Sequence, residues 1–208
     1  MKLVVIGVQG SGKGTQAKLL VEKFGWQHIT TGDLFRRNIE QKTELGLIAK
    51  TYIDRGDLVP DEYVFRIVKS ALESAKEGFI LDGFPRNQKQ MDFLSANFQL
   101  DKAILLDLSD EVAIRRITAR RHCEQCKTDY NLLFKKPKND SICDLCGGKI
   151  VQRDDDNEAA IIKRIEKFHQ ETKSVIEFFR KNHNLIRINA DQPVIDIHHE
   201  IIDGLDLR

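Results

Sequence analysis

Gly7-Val8-Gln9-Gly10-Ser11-Gly12-Lys13-Gly14-Thr15 follows the apolar run Leu3-Val4-Val5-Ile6 and precedes a helical pattern of Ala17, Leu19, Leu20, Val21 and Phe24. Strand, glycine-rich turn, lysine and helix in that order are the setting of a phosphate-binding loop. Glycines let the backbone curl until successive NH groups point at one anion, and the helix opening near Lys13 adds the positive end of its dipole. Lys13 supplies a mobile point charge that can follow a phosphate during transfer. The Gly-x-x-x-x-Gly-Lys match is complete, but Gly14 stands where most such loops carry a magnesium-binding Ser or Thr, and Thr15 comes one residue later. Gly10, Ser11, Gly12, Lys13, Gly14 and Thr15 are therefore expected to hold nucleotide phosphates. The plain alternative is a glycine-rich strand-to-helix turn without a ligand.

A chain of 208 residues is long enough for one well-buried core with a modest insertion. Hydrophobic residues at 41% and charged residues at 31% fit a soluble globular protein, and no apolar run approaches the length of a bilayer span. Met1-Lys2-Leu3 leads straight into the first strand, so no targeting segment and a cytoplasmic location are expected. A formal charge of +1 gives no general field for a nucleic-acid backbone, although clustered arginines can still bind small polyanions. Neither nucleic acid nor membrane is expected as a partner.

Apolar runs recur at Leu3 to Ile6, Phe79 to Leu81, Ala103 to Leu108 and Leu185 to Ile188, with a weaker one at His28-Ile29. Helical patterns separate them, and that alternation predicts an α/β fold with a parallel sheet covered on both faces. Helices are expected after Thr15, Asp33, Leu45, Asp61, Asn87, Ser109, Asn157 and Pro193. Ser109 with Asp110 and Glu111 forms a good start signal, and Pro193 suits a first turn. Ligands of such sheets bind at the carboxyl ends of the strands.

Cys123-x-x-Cys126 and Cys143-x-x-Cys146 hold every cysteine of the chain. Two such knuckles can close a tetrahedron of four thiolates around Zn2+, leaving no open position for substrate, so the metal would hold a fold rather than catalyse. Iron also suits four thiolates, and free or redox-active thiols are the alternative to a metal. Lys127 to Ile142, between the knuckles, has too few large apolar residues to form a core of its own.

Phe79-Ile80-Leu81-Asp82-Gly83-Phe84-Pro85-Arg86 is an apolar strand ending in an acid. Asp82 matches the carboxylate that phosphate-loop proteins use to hold Mg2+ or its waters, and otherwise reads as a turn or helix cap. Arg86 behind the Gly-Phe-Pro turn favours the first reading, since a rigid turn aims its guanidinium at the same edge. Arg36, Arg116, Arg120, Arg121, Arg153 and Arg164 complete the arginines of interest, with Arg116 and Arg120 expected four apart on one helical face.

With these residues in hand, the chain resembles an adenylate kinase of the long, bacterial type, essentially from end to end. The carriers are Gly7 to Thr15, Thr31-Gly32-Asp33 with Arg36, Asp82 to Arg86 with Gln90, Arg116 to Arg121, and Arg153-Asp154-Asp155 with Arg164. The resemblance implies a three-layer P-loop fold with a five-stranded parallel sheet. Its core would be residues 1–29, 60–120 and 153–208, its helical AMP-binding flap 30–59, and its zinc-binding lid 121–152. It implies contacts to AMP from Thr31, Arg36, Asp57, Leu58, Val59, Gly83, Phe84, Pro85, Arg86, Gln90, Arg153 and Arg164. It further implies that Arg120, Asp129, Tyr130 and Gln192 join the phosphate loop in holding ATP. Lys13, Arg86, Arg116, Arg120, Arg153 and Arg164 would act on the phosphates in flight, with Asp82 reaching magnesium through water. Gln9 departs from the Pro of many relatives, and the cysteines replace a polar network found in many lids.

The implied reaction is ATP plus AMP giving two ADP, carried out by a monomer. Other kinases of nucleoside monophosphates, acting on UMP or CMP or using GTP, are the nearest rivals. A nucleic-acid-binding NTPase with a zinc ribbon is a rival of another class. Lys127, Lys135, Lys136, Lys138 and Lys149 would serve it, but Tyr130 and Phe134 are the segment's only aromatics.

Overall fold

β1 (Lys2–Gly7) has Leu3, Val4, Val5 and Ile6 all buried, as a strand covered on both faces must. The structure, a computed structural model, describes residues 1–53, 59–75, 77–152, 156 and 158–207. After β1 come α1 (Lys13–Phe24), β2 (Gln27–Thr30), α2 (Thr31–Glu40), α3 (Glu44–Ile53), α4 (Asp61–Ser74) and β3 (Phe79–Asp82). Then follow α5 (Gln88–Asn97), β4 (Lys102–Asp107), α6 (Asp110–Thr118), β5 (Arg120–Cys123), β6 (Asp129–Asn131) and β7 (Ile150–Val151). α7 (Glu158–Lys181), β8 (Leu185–Asn189) and α8 (Val194–Gly204) complete the described elements.

The main sheet is parallel, in the order β2-β3-β1-β4-β8. The chain leaves β1 for the β2 edge, returns to β3 and crosses to β4. The loops after β1 and β3 therefore part at the carboxyl ends and open a crevice there. The period of two sends Val4 and Ile6 into one core layer with Leu81, Val68, Met91 and Phe179. Leu3 and Val5 enter the opposite layer with Leu20, Ile80, Ile188 and Ile201. Trp26 belongs to this second layer, stacked on Phe24 with ring centroids 4.6 Å apart. Each fully buried Leu or Phe stabilises the fold by roughly 1.5–3 kcal/mol.

Side-chain caps set several helix starts. Asn87 Oδ1 accepts from Gln90 N at 2.9 Å, and Ser109 Oγ accepts from Val112 N at 3.4 Å. Thr30 caps α2 by accepting from Asp33 N at 3.0 Å, so this helix starts at Thr31, ahead of the expected start after Asp33, and Asp33 lies in its first turn. Pro193 is the cap residue of α8 rather than a member of its first turn.

One expectation needs correction. Arg116 and Arg120 do not share a helical face, because α6 ends at Thr118 and Arg120 opens β5. Antiparallel pairing wins the segment: Arg120 lies opposite Asn131, and Cys123 opposite Ile150. The resulting sheet, β6-β5-β7, carries both cysteine knuckles. Among the described residues no helix is long and apolar enough to cross a membrane.

Candidate active site

The phosphate loop is open at its donor end. Gly12 caps α1 at φ 95° and Gly10 lies at φ 87°, conformations that side chains resist, and no side chain caps the helix. The first NH groups of α1 thus face outward for a ligand. Lys13 Nζ donates to Gly7 O at 2.8 Å and Val8 O at 3.0 Å, folding the ammonium over the loop. Enclosure pushes the Lys13 pKa below its ordinary value; the Asp82 carboxylate opposes that shift, and Arg86 and Arg120 add to it. Charges from α1, β3, the turn after β3 and β5 therefore meet within electrostatic reach of one point. Ser11 Oγ is buried beside Gly7 with no hydrogen-bond partner, and Thr15 is exposed one position after Gly14.

Asp82 lies across from the loop. Its Oδ2 is 3.7 Å from where a Cβ on Gly14 would sit, and His28 Nε2 stands 3.5 Å away on the other side. A half-buried carboxylate beside the loop fits a magnesium ion reached through water.

The turn after β3 gathers most of the residues expected to hold AMP. Arg86 Nε donates to Gly83 O at 2.8 Å, and Thr31 Oγ1 meets the same carbonyl at 3.5 Å. Arg86 N donates to Gln90 Oε1 at 2.8 Å, and Gln90 Nε2 donates to Asp61 Oδ1 at 2.7 Å. Phe84 and Pro85 are buried beneath this turn, and half-buried Val59 packs on the same core layer. Arg36 is turned to Asp33, in an exposed pair on the flap. Burial opposes the shift, but hydrogen bonds from Arg36 and Thr30 outweigh it and hold the Asp33 carboxyl below its usual range. Asp57, Leu58 and Arg153 lie outside the described residues.

Asp156 is the functional residue that sequence reasoning missed. Its carboxylate is fully buried and accepts from Arg120 twice, at 2.8 Å from Nε and 2.5 Å from Nη2. Arg164 Nη1 is 3.9 Å from the same Oδ1 and donates to Gln9 Oε1 at 3.4 Å. A lid-strand arginine, a core-helix arginine and the phosphate loop are thereby tied through one carboxylate. A buried carboxylate is tolerable only with such partners. The only sequence signal was an acidic run ahead of a helix in an arginine-rich stretch.

Arg116 donates to Ala190 O at 2.9 Å and pairs with Asp191 at 3.2 Å, its guanidinium 6.0 Å from the Phe134 ring centroid. This places Arg116 beside Gln192, whose side chain is engaged with Glu200 at 2.7 Å. Asp129 pairs with Lys18 of α1 at 3.2 Å, joining lid to core. Tyr130 turns inward: its hydroxyl lies 3.3 Å from Cys143 Sγ and accepts from Asp144 N at 2.8 Å. Its hydroxyl is thus occupied within the lid and not at the phosphate loop.

The Sγ atoms of Cys123, Cys126, Cys143 and Cys146 all lie within 4.8 Å of one another. Cys123 to Cys146 and Cys126 to Cys143 are each 3.5 Å. A tetrahedral four-thiolate zinc site has sulfur separations of about 3.8 Å, so the cluster fits a four-coordinate soft metal.

The adenylate kinase family model matches residues 5–184. An adenylate kinase of Clostridium tetani is 42% identical over 212 residues, covering 99% of this chain and 98% of the relative. One of Staphylococcus aureus is 41% identical over 213 residues, covering 99% of each chain. One of Caldicellulosiruptor saccharolyticus is 39% identical over 215 residues, covering both chains in full. The match spans the phosphate loop, the turn at Asp82, the four-cysteine sheet and α7, and the chain belongs to the adenylate kinase family.

Proposed function

We propose that this protein catalyses reversible transfer of a phosphoryl group from ATP to AMP, giving two ADP. The observation that carries the reading is the phosphate loop itself, with α1 uncapped and Lys13 folded across it, facing the Asp82 carboxylate and the Arg86 turn at the carboxyl ends of β1 and β3. The attacking group is an AMP phosphate oxygen, already ionised at neutral pH, so no general base is required. The barrier lies in bringing two polyanions together in line, and fixed positive charge with outward NH groups lowers it.

In this reading Gly10 to Thr15 hold the ATP phosphates, and Lys13 leaves the Gly7 and Val8 carbonyls to follow the phosphate in transfer. Arg120, held by Asp156, approaches from the lid side, while Arg116, Arg153 and Arg164 gather on the phosphates in flight. Thr31, Arg36, Arg86 and Gln90 hold AMP, helped by the backbone around Asp57, Leu58 and Val59. Asp129, Tyr130 and Gln192 border ATP, Tyr130 through atoms other than its hydroxyl. Magnesium bound to the ATP phosphates would neutralise developing charge, with Asp82 holding its waters. Residues 121–152 act as a lid and 30–59 as a flap whose closure excludes water. Zinc at the four cysteines keeps the lid folded.

The test is a panel of nucleoside monophosphates offered with labelled ATP. AMP should take most of the label; preferential labelling of UMP or CMP would overturn the assignment.

A further inference from the structure

Gln90 sits where a capping box would place it, three residues after the cap Asn87, and a capping glutamine would reach the cap residue's own NH. It does something else. Its Oε1 takes the NH of Arg86, one residue earlier, and its Nε2 reaches across to Asp61 at the start of α4. The side chain is 7% exposed, so its hydrogen-bond partners decide which end of the amide points where.

Those two partners allow only one orientation. The Arg86 NH can only donate and the Asp61 carboxylate can only accept. A turned-over amide would set NH2 against NH and oxygen against carboxylate. In the observed orientation one lone pair on Oε1 and one hydrogen on Nε2 have no partner among the described residues. They form an acceptor beside a donor of fixed order.

We infer that Asp61 is a positioning residue that locks the Gln90 amide so that the AMP site accepts a 6-aminopurine and rejects a 6-oxopurine. This rests on the proposed role of Gln90 in holding AMP. The guanidinium groups of that site suit the phosphate, whereas an uncharged, enclosed amide suits the base. Adenine presents an amino donor beside a ring-nitrogen acceptor, complementary to the unused pair. Hypoxanthine has nearly the same shape but reverses that order, with an oxo acceptor beside an NH donor. Reading it would require the amide to turn, which Asp61 opposes.

Asp61 also lies in the first turn of α4, where any acid interacts favourably with the helix dipole. Glu62 occupies the same turn, so that function does not depend on Asp61 alone.

The experiment measures kcat/KM for AMP and for IMP at saturating ATP in the full chain, Asp61→Asn, Asp61→Glu and Gln90→Leu. Asn can donate or accept, so Asp61→Asn releases the amide while keeping shape. The AMP-to-IMP ratio should fall about tenfold, chiefly through a higher KM for AMP, with KM for ATP within about twofold. Asp61→Glu, retaining the carboxylate, should recover part of the ratio. An unchanged ratio in Asp61→Asn overturns the inference, as does a loss of melting temperature with KM for both nucleotides rising together. If Gln90→Leu shifts the ratio and Asp61→Asn does not, only the role of Asp61 falls. If Gln90→Leu also leaves KM for AMP unchanged, the placement of Gln90 at AMP falls with it.

Discussion

The sheet and the four-cysteine lid both deliver arginines toward the phosphate loop, but different forces hold them in shape. β1, β3 and β4 lie between two apolar layers, and Arg86 stands on a turn seated over buried Phe84. The lid's enclosed cluster is only Cys123, Tyr130, Cys143 and Ile150, while Leu133, Phe134, Ile142 and Leu145 stay exposed. Where a segment cannot bury enough apolar surface to offset its lost entropy, a cross-link must substitute. The contrast predicts that chemistry and folding separate in the sheet and are joined in the lid.

The largest test of that contrast is Lys13→Met, which should lower turnover by roughly a hundred- to a thousandfold with circular dichroism and melting unchanged. Near-normal turnover would remove Lys13 from the mechanism. Arg120→Met probes the seam between the regions. Among the described residues it leaves the buried Asp156 only the more distant Arg164, and it should cost about 2–3 kcal/mol of stability in urea titrations as well as activity. A stability equal to that of the parent chain would mean that Asp156 can reach water.

Removing metal with a chelator should lower the melting temperature of the lid while far-ultraviolet dichroism of the main sheet persists. Elemental analysis of freshly purified protein should find zinc at one per chain, and its absence would end that claim. The smallest effect belongs to the sheet region. Burial, helped by Lys23 and His199, lowers the pKa of His198 on α8 from its model-compound value of 6.5. The unfolded chain therefore binds a proton there first, so stability is complete above that value and declines as pH falls through it toward the lowered folded value. His198→Leu should flatten this decline in acid melting curves, whereas an unaltered slope would assign it to other groups.

The same contrast explains what was legible in the sequence. Continuous runs such as Leu3 to Ile6 announce strands buried on both faces, and Asn87 and Ser109 announce their helices through their own cap bonds. Lid strands of two to four residues carry no usable period, which is why Arg120 looked helical. Sulfur spacing, by contrast, foretold their meeting point. Asp156 was hidden because its neighbours in sequence are also acidic, and nothing in the sequence marks it as the carboxylate that Arg120 takes. The resemblance puts Tyr130 at the nucleotide without saying which of its atoms serve, and only the structure shows that its hydroxyl is engaged by a sulfur and a backbone NH.

Trp26 is the chain's single tryptophan, and it is stacked on Phe24 in the layer between the sheet, α1 and α8. Emission excited at the red edge of its absorption therefore watches one side of the molecule only. A chain whose sulfur-bound segment has come apart would glow as the intact protein does, and loss of that signal would announce the collapse of the sheet alone.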